Sequence, residues 1–345
     1  MSTILVVGGA GYIGSVLVPL LLDRGHAVRV VDRFYFGRDS LAPSIATHGD
    51  QLTLCRADVR SLEPRVFDSV DGVIDLAGIS NDPSCDLDPS LTRQVNYEAA
   101  VSTMRAARDA GVRRYVFASS CSVYGRGEEL GLTETSSLHP VSLYAQCKAD
   151  AEGALMSLRR PGFAPTIVRL ATVFGLSPRM RFDLAINVMT KNAYTRGQIT
   201  VDGGGKQWRP FVHVADVAET MQGMVDAEVA TVDGEVFNVG HDTNNVKILH
   251  LAYRVRDAVP GTQIVMAPTD PDLRNYNVRF DKLGALLGGR SFRTIANGIE
   301  EVLEALRAGR VDPDDRRWYT LSQYKFLLEV EKTYRDIAMD GRVLS

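Results

Sequence analysis

The chain holds 345 residues, 45% hydrophobic and 23% charged, which is ample for a core in one large domain or two intimate ones. A net charge of −3 offers no attraction to nucleic acid or to an anionic membrane, and no apolar stretch approaches the length of a membrane span. Cys55, Cys85, Cys121 and Cys147 show no metal-ligand spacing and no C-x-x-C, which points to reduced thiols in a cytoplasmic protein without a metal. The N-terminus has no basic region, and glycines interrupt its first apolar run, so it reads as a core strand rather than a signal peptide.

That run, Ile4–Val7, opens a strand–turn–helix–strand pattern: a glycine cluster, an apolar helical stretch over Tyr12–Leu22, then a second strand over Val28–Val31. Gly9, Gly11 and Gly14 fit G-x-G-x-x-G, and Gly8, Gly11 and Gly14 fit G-x-x-G-x-x-G. Such glycines let a pyrophosphate approach a helix N-terminus, where free amides and the dipole favour anions. Asp32 closes the second strand at the distance expected of the acid that bonds an adenosine ribose diol. The next residue, Arg33, either meets a 2′-phosphate or is a solvated loop charge. Asp32 repels such a phosphate, so NAD is favoured over NADP. Pro19 inside the first helix removes one ladder bond and predicts a kink or a local adjustment.

A third strand over Leu52–Arg56 leads to Asp58-Val59, where the acid either accepts from the adenine amino group or caps a helix. Gly72–Leu76 is a fourth strand, and Ala77-Gly78 after it lets backbone pass close to the cofactor. The polar loop that follows lies at a strand's C-terminal end, where open α/β sheets bind ligands. Ser80, Asn81 and Asp82 there are candidate substrate contacts, with loop capping as the alternative for each. Leu91–Ala110 reads as one long helix, Arg114–Ala118 as a fifth strand followed by SSCSVYG, Leu143–Leu158 as a helix, and Thr166–Leu170 as a sixth strand. Strands alternating with helices predict a doubly wound, mostly parallel sheet of Rossmann type.

Beyond Leu170 the elements shorten. Arg179 and Arg181 fall in a loop, Ile199–Val201 is a short strand, and His213–Val225 is a helix. Glu235–Val239 is a strand that rejoins the main sheet. Helices follow near Asn245–Asp257, Asp281–Leu287, Ile295–Arg307 and Leu321–Asp336. Residues 1–170 with roughly 211–240 form the dinucleotide-binding part. Residues 171–210 and 241–345 form a smaller mixed α/β part, a lid at the C-terminal edge of the sheet.

Tyr144 and Lys148 form Y-x-x-x-K, which places both side chains on one helical face. A nearby ammonium favours a phenolate, so the tyrosine is expected to titrate below its ordinary value of about 10 and to take a hydroxyl proton. Ser120, at the neighbouring strand end, is placed to bond the same substrate oxygen.

Together these pieces resemble the extended short-chain dehydrogenase/reductases, in particular the NAD-dependent epimerase/dehydratase group acting on nucleotide sugars. The matching segments are GGAGYIG, Asp32, Asp58-Val59, Ala77-Gly78, SSCSVYG, YAQCK and RPFVHVADVA, in family order. The resemblance implies Ser120, Tyr144 and Lys148 as the catalytic set. It implies NAD held by Gly8, Gly11, Tyr12, Ile13, Gly14, Asp32, Arg33, Asp58, Val59, Leu76, Ala77, Gly78, Tyr144 and Lys148. It further implies a nucleotide-diphosphate sugar held by Ser80, Asn81, Ser122, Asn187, Thr200, Arg209 and Arg274, and a homodimer formed through the helix before the fifth strand and the helix bearing Tyr144. Members that perform 4,6-dehydration carry an Asp-Glu pair where this chain has Cys121 and Ser122, and many epimerases carry an asparagine where Thr172 stands. The expected activity is 4-epimerisation through a transient 4-keto sugar. The alternatives are a 4-ketoreductase, a dehydratase using Cys121 as an unusual acid or base, and a non-catalytic NAD-sensing regulator.

Overall fold

The computed structural model describes residues 2–126, 130–268, 274–339 and 342. Residues 270–273 of the DPDLRNY segment lie outside the described residues.

Six strands of the first half are β1 (Thr3–Val7), β2 (Ala27–Asp32), β3 (Leu52–Arg56), β4 (Gly72–Asp75), β5 (Arg114–Ser120) and β6 (Ala164–Leu170). With Glu235–Val239 they form one seven-stranded parallel sheet, in the order Glu235–Val239, β6, β5, β4, β1, β2, β3. Burial on both faces explains the unbroken apolar run Ile4–Val7 of β1. Along β1, Ile4 and Val6 pack into one layer with the helices Gly14–Asp23 and Val214–Asp226. Leu5 and Val7 point the other way, into a layer with the helices Ala100–Asp109 and Leu143–Ser157. The chain reverses its winding between β1 and β4, and that switch point opens a crevice at the strands' C-terminal ends.

Two smaller sheets stand over this end. One joins Asn245–Lys247, Trp208–His213 and Thr172–Phe174; the other is a parallel pair of Gln263–Ala267 and Gln198–Asp202. All five of these strands are three to six residues long, and only Gln198–Asp202 was legible in the sequence, as Ile199–Val201. The helix expected from Asn245 accordingly starts only at Ile248.

Two further departures matter. The helix expected over Leu91–Ala110 is continuous but contains a π-helical stretch, Gln94–Ala99. Pro19 does not interrupt its helix, which runs from Gly14 to Asp23. The last helix, Thr320–Ile337, returns to the cleft. Gln323 donates to the Tyr35 carbonyl at 2.8 Å, Tyr324 packs on Tyr35 and Phe36, and the helix also packs against Asp82–Cys85. No helix among the described residues is long and apolar enough to cross a membrane.

Candidate functional site

A cleft of about 670 Å³ lies over the crevice between β1 and β4. Its floor is the glycine turn: Gly8, Gly11, Tyr12, Ile13 and Gly14, with Leu76, Ala77 and Gly78 after β4. The turn depends on its glycines. Gly8 has φ of +80°, and a Cβ on Gly14 would lie 2.4 Å from the Gly9 carbonyl oxygen. Ser15 donates its amide to the Gly11 carbonyl at 2.9 Å, so the helix begins directly above the turn with its free amides towards the cleft. This cradle fits a dinucleotide pyrophosphate.

Asp32 sits behind the turn. Its carboxylate accepts from Ala10 N at 3.0 Å and Phe34 N at 2.7 Å, leaving a lone pair on each oxygen, and burial pushes its pKa up. Of the two readings of Asp58, the cap is the one present. Asp58 accepts from Arg60 N at 2.9 Å and pairs with Arg60 and Arg33, and the Arg60 hydrogen bonds hold its carboxyl well below the usual range. Arg33 is therefore neither free nor simply solvated: it is tied to Asp58 and lies over Tyr35. Neither these residues nor Val59 lines the cleft.

Ser120, Tyr144 and Lys148 all line the cleft. Ser120 Oγ accepts from Ser122 N at 3.1 Å, and Ser120 stands close enough to Tyr144 to act on its titration. Lys148 is buried, donates to the Ala118 carbonyl at 2.8 Å and lies over the Phe117 ring. The expected fall in the Tyr144 pKa is overturned: burial raises it well above the ordinary value, and Cys85 and Asp82 add to the rise. Arg181 and Ser120 pull it the other way. Burial likewise lowers the Lys148 pKa, partly offset by Asp75. Desolvation is the largest cause of both shifts in the free protein.

Cys121 is not in the site. Its side chain is 0% exposed in the core beneath β5 and β6, its thiol donates to the Arg169 carbonyl at 3.2 Å, and burial pushes its pKa far up. A role as acid or base is thereby removed, and with it the dehydratase reading through this thiol. Cys121→Ala is expected to cost about 1–2 kcal/mol of stability through the cavity it leaves. Turnover should stay in the wild-type range, which thermal denaturation and a progress curve together would check.

The substrate candidates divide. Ser80, Asn81, Ser122, Arg209 and Arg274 line the cleft. The Ser122 hydroxyl is buried there without a hydrogen-bond partner. Asn81 holds a φ of +77°, caps Ser84 N at 2.9 Å and donates to Asp183 at 2.6 Å. Arg274 pairs with Asp82 at 3.0 Å, and Arg209 lies over Tyr276 and donates to the Arg274 carbonyl. Asn187 is misplaced by the sequence reading. Fully buried, it accepts from Gly175 N and donates to Tyr12 Oη and the Arg181 carbonyl, so it braces the wall from behind. Tyr12 donates its hydroxyl to the Gly175 carbonyl at 2.6 Å. Thr200 is exposed on its strand and does not reach the cleft, whereas Asp202 at the strand's end does.

Sequence reasoning missed two groups. Asn96, in the π-helical stretch, accepts from Ile79 N at 2.7 Å and donates to Ile79 O at 2.9 Å, which pins the loop after β4. An asparagine among apolar helical neighbours was the available signal. The second group is Phe36, Arg179, Arg181, Asp183, Thr320 and Tyr324, which wall the cleft from three distant segments and left no local pattern.

The NAD dependent epimerase/dehydratase family model matches residues 4–240. UDP-glucuronic acid decarboxylase 1 of Xenopus tropicalis is 27% identical over 314 residues, covering 88% of this chain and 72% of that protein. Among solved structures, an NAD-dependent NDP-hexosamine 5,6-dehydratase of tunicamycin biosynthesis is 25% identical with a TM-score of 0.79, covering 91% of this chain and all of that one. MoeE5, solved with UDP-glucuronic acid and NAD, is 25% identical with a TM-score of 0.76, covering 89% of this chain and all of that one.

Proposed function

Since the chain belongs to the NAD-dependent epimerase/dehydratase family of nucleotide-sugar enzymes and uses NAD, we propose that it epimerises a nucleotide-diphosphate sugar at C4. The observation that carries this reading is that Ser120, Tyr144 and Lys148 line one cleft over the glycine turn, with Cys121 withdrawn into the core and Ser122 in the cleft beside it. That set can move a proton on and off one sugar hydroxyl. Cys121 and Ser122, and not an Asp-Glu pair, follow Ser120 in the chain, so that position offers no carboxylate for a proton transfer at C5.

NAD, when bound on the glycine turn, supplies the acceptor and donor of the C4 hydride. Tyr144 takes the O4 proton and later returns it. Ser120 holds the oxygen as its charge changes. Lys148 supplies positive charge under the tyrosine and reaches towards the cofactor's ribose. Arg209 and Arg274 hold the nucleotide diphosphate while the 4-keto sugar turns over between them. Net redox is zero, so the enzyme works without added cofactor.

A second reading, decarboxylation of a nucleotide uronate after C4 oxidation, is favoured by one feature. The buried Arg181 guanidinium lies close enough to Tyr144 to influence its titration, and so stands near any sugar carboxylate. A 4-keto uronate is a β-keto acid and loses carbon dioxide without a further base. Incubation with UDP-, dTDP-, GDP- and CDP-hexoses and with UDP-glucuronate, with no cofactor added, separates the readings. A C4 epimer supports the first and a released pentose nucleotide the second. A stoichiometric demand for NADPH, or no product from any of them, counts against both.

A further inference from the structure

Arg179 is a buried cation that forms no ion pair among the described residues. Its residue is 3% exposed, yet it lines the cleft, and its Nε has no hydrogen-bond partner. Its guanidinium stacks on Phe36 at 3.6 Å from the ring centroid and donates to Thr320 Oγ1 at 3.3 Å. Among the described residues no carboxylate forms an ion pair with it; Asp183 is already engaged by Nε and Nη2 of Arg181. Burial, and then the like charge of Arg181, push the Arg179 pKa down to about 10. A desolvated, unpaired cation is costly, and an anion arriving at the cleft removes that cost.

The position of Arg179 says which anion. Its amide donates to Ser15 Oγ in the first turn of the helix above the glycine turn, at 3.3 Å. Phe36 follows β2, and Asp32 is among the charges that act on Arg179. Arg209 and Arg274 belong instead to the wall around Tyr276 and Asp82. The roof over Arg179 is the last helix, Thr320–Ile337. It is tied to the loop after β2 by Gln323 and Tyr324, and it packs on Asp82–Cys85 in the loop after β4. It therefore bridges the two loops that flank the cofactor crevice.

We infer that Arg179 is the side-chain counter-ion of the dinucleotide pyrophosphate, and that the last helix closes over it, so that this enzyme traps its cofactor under its own C-terminal segment. The inference rests on NAD use and not on the C4 chemistry.

The test measures NAD content of the purified protein after acid release, NAD⁺ affinity of cofactor-stripped protein by calorimetry, and the rate of NAD⁺ loss from the holoenzyme. Arg179→Met should weaken NAD⁺ binding by about 10- to 100-fold, the range of hydrogen bonds to a charged group, and Arg179→Lys should restore part of it. Nucleotide-sugar affinity should change little. Tyr324→Ala, which loosens the roof and keeps the cation, should speed NAD⁺ loss with a smaller change in the association rate. If Arg179→Met fails to fold, Tyr324→Ala and Arg179→Lys still decide, because both keep the wall's volume or its charge. Unchanged NAD⁺ affinity and loss rate in these variants would overturn the inference. So would a loss confined to nucleotide-sugar binding, which would assign Arg179 to the substrate. Failure of every sugar assay with NAD retention behaving as stated would sink the C4 reading alone.

Discussion

On the proposed chemistry, Tyr144→Phe is expected to lower kcat by about 10³- to 10⁴-fold while leaving NAD bound, because the variant keeps the ring that lines the cleft and loses the hydroxyl assigned to take the sugar proton. Ser120→Ala should cost less, since Ser120 supports the oxygen rather than accepting its proton. The pH dependence follows from the direction of the tyrosine shift. Burial raises the Tyr144 pKa in the free protein, so the phenol is protonated across the neutral range. A base is active only when deprotonated. Turnover should therefore rise with pH through neutrality and fall off on the acid side. Loading the protein with the cationic, oxidised cofactor should move that rise to lower pH. Phenolate absorbance titrated with and without NAD⁺, beside kcat against pH, would check this. A profile that falls with rising pH, or that Tyr144→Phe leaves intact, would remove Tyr144 from the chemistry.

The second large effect lies behind the site. Arg169 on β6 makes a two-pronged pair with Glu152, its shortest contact being 2.7 Å, and both side chains are almost wholly buried. Ser119 on β5 donates to the same carboxylate at 2.5 Å, and Arg169 also donates to Tyr124 Oη at 3.0 Å. Burial on its own depresses the Arg169 pKa, but hydrogen bonding to Glu152 and its charge outweigh that, and the net shift is upward. Glu152 lies on the helix that carries Tyr144 and Lys148, so this knot fixes that helix against the strand end that carries Ser120. Arg169→Met leaves the Glu152 carboxylate buried without its counter-charge, held by Ser119 alone among the contacts described, and should destabilise the protein by about 3–5 kcal/mol. Arg169→Met with Glu152→Leu should recover most of the loss, because the two charges then vanish together. Denaturant unfolding of the two single variants and the double variant gives the coupling directly. The penalty should persist at high salt, where an exposed pair would have faded. A single variant within about 0.5 kcal/mol of wild type would show that water reaches the carboxylate and that the knot does not hold the helix.

How far the chain could be read varied with the range of the contacts. The turn Gly8–Gly14, Asp32 and the parallel strands were legible because each is written in consecutive residues: a period, a glycine spacing, an acid at a fixed distance. Ser120, Tyr144 and Lys148 were legible as residues, but the direction of the tyrosine shift was not. Spacing on one helical face reports which side chains are neighbours; it does not report how much water is left around them. Cys121 and Ser122 are adjacent, yet one is buried in the core and the other faces the cleft. They open the 3-10 turn Cys121–Tyr124 that follows β5, and the tight winding of that turn, which the sequence did not announce, decides which of the two faces the cleft. Asn187 failed for a related reason. Its amide can face a diphosphate or saturate itself on Tyr12, Gly175 and Arg181, and only packed coordinates separate the two.

What the sequence determined by itself is the scaffold and the class of chemistry: a doubly wound sheet, a dinucleotide turn at its switch point, and a Ser–Tyr–Lys set beside it. Local periodicity and fixed spacings encode all three. Tertiary structure alone decided what surrounds that set. It withdrew the thiol, placed an unpaired arginine under the last helix, and joined the loops after β2 and β4 with a segment some 240 residues further along the chain than β4. Those contacts are between residues with no sequence relation to one another, and burial, which sets their charge states, is a property of the assembled wall and not of any segment in it.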